Sequence, residues 1–159
     1  MSERKDKLRA TIQADDAASL VIFSRLTPEQ WEMPVPSDEG ALWKARDVLA
    51  HVAVSEGGQL TVIKRVLAGE GGVPEDFELN RYNRRSVQKQ AERSVPELLA
   101  GIARDHAQVL ETLAAVSDAD LDKTGRHARG DTLSVEQFFQ RISEHRRQHA
   151  EEIAHSLGL

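Results

Sequence analysis

His145 and His149 stand four residues apart in "SEHRRQHAEEI", residues 143–153. On a helix, residues at this spacing differ by only about 40° around the axis, so both imidazoles point the same way. Neutral imidazole is a good ligand, and a His pair four apart on one helix face is a recurring metal motif. The same spacing occurs in exposed pairs on charged helices, so the face decides. Val135, Phe138, Phe139, Ile142, Ile153 and Leu157 are the large apolar residues of this segment. Steps of three or four from Ile142 reach 145 or 146, then 149, then 153. The two histidines therefore take interior slots that Leu or Ile would normally fill. Leaving them buried without partners would cost about 1–3 kcal/mol per polar group. A divalent cation, a buried carboxylate or water would compensate. Arg146, Arg147, Gln148, Glu151 and Glu152 fall on the other faces, with the two arginines assigned to solvent.

A metal site needs a third ligand. Three protein ligands leave positions open for water or substrate, the catalytic rather than the closed structural pattern. Such an ion acts as a Lewis acid or lowers the pKa of a bound water or thiol. His51, in the apolar stretch "DVLAHVAV", can sit on an adjacent inward face and meet the pair. His106 lies near the Ile102–Val109 stripe in the charged "ARDHAQ", which favours a boundary position. His127, between Arg126 and Arg129, is expected to be exposed, and His155 falls on a different face. Carboxylates remain open as well. Glu56 is about 140° round the helix from His51 and is not expected to be a ligand, whereas Ser55 and Glu152 lie nearer the metal face as supporting groups. Trp43 either covers the site or fills the core; core is the expectation.

These histidines need helices to position them. The segment Arg4 to Leu26 carries a stripe of Leu8, Ile12, Ala18, Val21, Ile22 and Leu26. A long irregular connection, "LTPEQWEMPVPSDEGALW", follows, with one helical turn expected at "TPEQW". A second helix runs from Leu42 to Leu67 and stops at "AGEGG". A third runs from Leu79 to Val116, broken near "SVPEL" because Pro96 cannot donate to the preceding turn. A fourth covers Ser134 to Leu157, opened by a Ser134/Gln137 capping box. No strand and no repeat of solenoid period are expected. The class is all-α, a four-helix bundle in one domain, 1–159.

The chain has 159 residues, no cysteine and a formal net charge of −5. The absence of cysteine excludes disulfides, thiolate zinc sites, iron–sulfur clusters and cysteine nucleophiles. The charge is mixed along the chain, without a basic stripe interleaved with aromatics, which argues for no nucleic acid partner. "NRYNRR", residues 80–85, is a local basic exception that reads as a solvated helix end. No signal-like or membrane-spanning apolar run is present, so a cytoplasmic protein with no membrane partner is the expectation.

Three fragments together resemble the DinB-like (DinB/YfiT-like) superfamily. They are "GALWKARDVLAHVAVSE" (40–56), "SVPELLAGIARDHAQVLETLAAVSDADL" (94–121) and "SVEQFFQRISEHRRQHAEEI" (134–153). The order Trp, His, then H-x3-H carries the likeness, which is clearest over residues 40–155. The resemblance implies an up-down-down-up bundle and a homodimer. It also implies a divalent metal, nickel or zinc, held by His51, His145 and His149. It further implies a small-molecule substrate and, in some members, a low-molecular-weight thiol as co-substrate. The resulting expectation is a metal-dependent thiol-S-transferase or hydrolase. The alternative is a non-catalytic small-molecule-binding or stress-response module.

Overall fold

The computed structural model describes residues 1–36 and 42–159. The chain forms α1 (Glu3–Phe23), α2 (Pro28–Trp31), β1 (Pro34–Pro36), β2 (Leu42–Lys44), α3 (Ala45–Leu67), α4 (Leu79–Lys89), α5 (Val95–Ala115), α6 (Asp118–Leu121), β3 (Thr124–Arg126), β4 (Thr132–Ser134) and α7 (Val135–Leu157). The protein is mostly helical, as expected. The single turn at "TPEQW" is α2, and the break near "SVPEL" separates α4 from α5. Ser134 and Gln137 form the expected capping box at the start of α7. Gly40 and Ala41 of the Trp-bearing fragment lie outside the described residues.

The strands were not expected. β1 pairs antiparallel with β2, and β3 with β4, each over three residues. Three residues are too few for an alternating pattern to stand out from a loop.

The two hairpins reveal an internal repeat. Pro28, Pro34, Leu42 and Ala45 open α2, β1, β2 and α3; Asp118, Thr124, Thr132 and Val135 open α6, β3, β4 and α7. Each pair is separated by 90 residues. Fine details repeat with the elements. Ala45 N–H donates to the Met33 carbonyl at 2.9 Å, and Val135 N–H to the Lys123 carbonyl at 2.8 Å. Lys44 N–H donates to Asp47, and Ser134 N–H to Gln137, three residues on in each case. Side chains at matched positions differ almost throughout, so the sequence hides a repeat that the backbone keeps.

Four long helices do the packing: α1 on α7, α7 on α3, α3 on α5, and α5 on α1. Arg4 meets Glu136, and Asp15 meets Ser143, so α1 and α7 run parallel. Lys5 Nζ donates to the carbonyls of Ala114 and Val116, at the far end of α5, so α1 and α5 run antiparallel.

The core has two parts. Leu8, Ile12, Ile63, Leu113, Phe138 and Ile142 belong to one cluster; Phe23, Val48, Val52, Ile102 and Ile153 belong to the other. Between them every long helix contributes buried or half-buried polar groups: Asp15 and Ser19 from α1, Glu56 from α3, His106 from α5, Ser143 and Arg146 from α7. This belt explains where the inward stripe of α1 departs from its apolar residues. Asp15 and Ser19 face in, while Ala18 and Val21 are exposed.

Candidate metal centre

α3 and α7 cross antiparallel, which puts the start of α3 beside the last turns of α7: Val48 and Val52 share a cluster with Ala150 and Ile153. At that level His51 meets His145 and His149. His51 Nε2 lies 3.2 Å from His145 Nε2, which lies 3.0 Å from His149 Nε2. All three offer one ring nitrogen within 4.8 Å of one another, a set that could hold a metal ion.

Burial favours the neutral form of His51 and His145. It holds His51 down to about 3, with the charges of His149 and Arg129 adding to the effect. His145 is held well below its ordinary value by burial, then by its two neighbouring imidazoles. Neutral imidazole is the ligating form. His149 Nδ1 lies 2.9 Å from Glu152 Oε2. A carboxylate can only accept, so Nδ1 donates and Nε2 is the nitrogen left to face the other rings. Glu152, expected as a supporting group, is thus in contact with His149.

Trp43 is not simply core. It packs against the second cluster but also tilts over His51, with ring centroids 5.4 Å apart, and lines the cavity in front of the histidines. Ser55 lines the same cavity and accepts from Gln59 Nε2 at 3.1 Å.

The remaining histidines go elsewhere. His106 sits at the polar belt, with Nε2 3.6 Å from Asp16. His155 is exposed. His127, expected to be exposed, is 6% exposed. It sits at the β3–β4 turn, stacked near Phe138 at 5.6 Å, and lines the histidine cavity. Its position depends on a close approach beneath it. Gly125 lies so near Val66 that a Cβ there would come within 2.4 Å, which lets β3 press onto the end of α3.

The second correction concerns Arg146. Assigned to solvent by sequence, it is fully buried. Its Nε donates to Glu56, and its terminal nitrogens reach Glu56 and Asp16. Burial pushes the Glu56 carboxyl up to about 8, against the opposing pull of the guanidinium. The step of four from Ile142 to 146, and again to the buried Ala150, was visible in the sequence. An arginine can fill that slot only when paired, because an unpaired buried charge is costly. The pairing acids lie 90 and 130 residues away. Arg147 fits the solvent side better, being 40% exposed along its side chain.

A cavity of about 970 Å³ opens in front of the three histidines. Val62, Phe77 and Phe138 give it apolar walls; Gln59, Arg129 and Arg141 give it polar ones.

The sequence matches the DinB superfamily over residues 11–153. This chain belongs to the DinB superfamily. No curated protein matches it in sequence. Among solved structures, YfiT from Bacillus subtilis, described as a probable metal-dependent hydrolase with an unusual four-helix bundle topology, superposes with a TM-score of 0.73 at 21% identity. That match covers 99% of this chain and 90% of YfiT. The colibactin self-resistance protein ClbS, solved in complex with double-stranded DNA, gives a TM-score of 0.79 at 12% identity, covering 98% and 96% of the two chains. An uncharacterised protein from Escherichia coli UTI89 gives 0.70 at 13% identity, covering 100% and 97%.

These likenesses establish the DinB fold for the chain. They also correct one exclusion. Charge balance argues against nucleic acid as a partner, yet ClbS, with the same fold, is solved on a DNA duplex. The exclusion therefore does not stand for this DinB-superfamily protein. No helix of the described residues is long and apolar enough to cross a membrane.

Proposed function

We propose that this protein is a metal-dependent hydrolase in which His51, His145 and His149 hold a divalent cation, nickel or zinc. The observation that carries the reading is the convergence of three Nε2 atoms from two antiparallel helices, at 3.0 and 3.2 Å. Imidazole ligands at about 2.0–2.1 Å from an ion stand about 2.9–3.4 Å apart for angles between octahedral and tetrahedral. Both separations to His145 lie in that range and all three rings offer a nitrogen within 4.8 Å of one another, so the residues present fit a divalent ion. Three nitrogen donors and no thiolate suit nickel or zinc rather than a hard oxygen-seeking cation.

When bound, a divalent cation at such a centre supplies Lewis-acid activation of a water or a thiol. The chain's own residues supply the rest. Glu152 fixes the tautomer and orientation of His149. Trp43 and the apolar walls limit water around the centre, which strengthens electrostatic interactions there. The helix directions support the up-down-down-up order, with α1 and α7 parallel and α5 opposed to α1.

Hydrolysis is placed first because YfiT, of the same fold, is described as a probable metal-dependent hydrolase. S-transfer from a low-molecular-weight thiol is the second reading, favoured by the cavity volume of about 970 Å³, which has room for two small reactants. The test is metal analysis of protein purified without a histidine tag, followed by turnover of activated esters and amides with and without added thiol. Near-stoichiometric nickel or zinc, lost in His149→Ala, together with thiol-independent turnover, is the expected result. Protein that carries no divalent ion and takes none up would sink the reading; turnover that needs thiol would select the second.

A further inference from the structure

The internal repeat divides the histidine cavity into two chemically different halves. Matched positions in α3 and α7 are 90 residues apart. By that rule His51 corresponds to Arg141, and His145 and His149 correspond to Ser55 and Gln59. Arg141, Ser55 and Gln59 line the same cavity as the three histidines. Where one half offers nitrogens with lone pairs, the other offers a guanidinium, a hydroxyl and an amide. Gln59 Oε1 is buried with no hydrogen-bond partner among the described residues, and Nε2 of that amide is bonded to Ser55. In the flipped orientation the amide would instead accept from the Ser55 hydroxyl and leave its NH2 as the unpaired group beside the cavity wall.

The β3–β4 turn adds to this half. Arg129 N–H donates to His127 Nδ1 at 3.2 Å, so Nδ1 accepts and the ring's proton lies on Nε2. That Nε2 has no hydrogen-bond partner among the described residues, and His127 lines the cavity. Asp131 stands 3.5 Å from His127 Nδ1 and 3.6 Å from Arg141, too far for a strong bond to either. Arg129, exposed, has no ion-pair partner among the described residues, and its charge reaches His51 and His145. Two carboxylates line the cavity wall: Glu152 is bonded to His149, and Glu144, three residues after Arg141, is exposed and lies 3.4 Å from Gln148 Nε2.

We propose that Arg141, Arg129 and His127, with Gln59, form an oxyanion subsite, so that the substrate carries a carboxylate or a phosphate beside its reacting group. The proposal rests on the reading above only for what happens at the histidines. Arg141 lies one helical step of four residues before His145, a rise of about 6 Å. The anionic group and the reacting centre are therefore separated by only a few bonds. The apolar walls at Val62, Phe77 and Phe138 suit a hydrocarbon or aromatic body between them.

The test uses the full chain freed of metal by a chelator, so that no ion competes for the anion. Phenylacetate, phenylphosphonate and the neutral phenylacetamide are titrated by NMR or calorimetry. At least one of the two anions should bind about tenfold tighter than the amide, a difference of about 1.4 kcal/mol; which one does so separates carboxylate from phosphate recognition. Arg129→Gln should remove most of that preference without changing the melting temperature, because Arg129 is exposed. Arg25→Gln, a cation outside the cavity, should leave it intact. Equal binding of acids and amide, no binding of either acid, or an unchanged preference in Arg129→Gln would overturn the subsite. Retained acid binding in a chain that takes up no metal would sink the metal reading and leave this one standing.

Discussion

His145 and Arg146 are neighbours in sequence and both turn inward, yet they serve opposite ends. Arg146 enters the polar belt, where Glu56 and Asp16 were supplied by two other helices to meet it. His145 enters the cavity with two more imidazoles, and its Nδ1 is buried without a partner among the described residues. The guanidinium with Glu56 and Asp16 is closed chemistry on the cation's side: Arg146 donates to two acidic side chains within the fold, and one buried oxygen of Glu56 is left over. Three imidazole nitrogens facing one another are open chemistry, because one ring proton can join only two of them and at least one lone pair is left without a donor. One turn of one helix thus holds both a structural network and a ligand-seeking one, and what separates them is what each leaves unmet.

Removing a residue from each region should break the comparison most sharply. In the histidine cluster, His149→Ala should abolish stoichiometric metal binding while the bundle still folds, since His149 is only part-buried. Metal content and far-UV circular dichroism together check this; retained metal would mean the three rings are not the ligands. In the belt, Arg146→Met should leave Glu56 buried without its cation and lower stability by about 3–5 kcal/mol. The urea midpoint measures it. Adding Glu56→Gln should return part of the loss, and no recovery would show that Arg146 acts through packing alone.

The fold was largely legible because its helices obey local rules. Caps at Ser134, the stop at "AGEGG" and the break before Pro96 all mark real boundaries. His145 and His149 were legible because they interrupt an apolar stripe, and His51 because it sits in the most apolar part of α3. The features that local sequence does not carry depend on contacts between distant segments. Arg146 is buried because Glu56 and Asp16 arrive from elsewhere. His127 is buried because Gly125 lets β3 approach Val66. The 90-residue repeat lies in backbone hydrogen bonds, which side-chain identities do not record.

Acid should affect the two regions differently. In metal-free protein His51 is held at about 3, against about 6.5 in the unfolded chain. Below 6.5 the unfolded state takes up a proton that the folded state refuses, so stability is full above that pH and falls as pH drops toward 3. The expected loss is a few kcal/mol, read from urea midpoints between pH 7 and 4.5. His51→Gln should flatten the slope, because the residue that resists protonation is gone. An unchanged slope in that variant would mean that His51 is not the group that sets the acid sensitivity; Glu56, held up at about 8, acts with the opposite sign, since its folded form keeps a proton that the unfolded chain gives up.

The smallest effect tests the boundary between the two kinds of chemistry. Glu152 is 51% exposed along its side chain and touches His149 only at Nδ1. If the cluster were closed like the belt, removing this contact would be one surface hydrogen bond lost, with no consequence for any ion. In an open site the contact orients His149 and raises its basicity as a ligand, and outer carboxylates of this kind are worth about tenfold or more in metal affinity. Glu152→Ala should therefore weaken nickel or zinc binding by about tenfold while leaving the metal-free melting temperature unchanged, because a half-exposed carboxylate contributes little to the fold. Competition against a chelator of known affinity separates the two cases. Unchanged affinity would make Glu152 a bystander; a drop in metal-free stability would place it with the belt residues whose partners hold the bundle together.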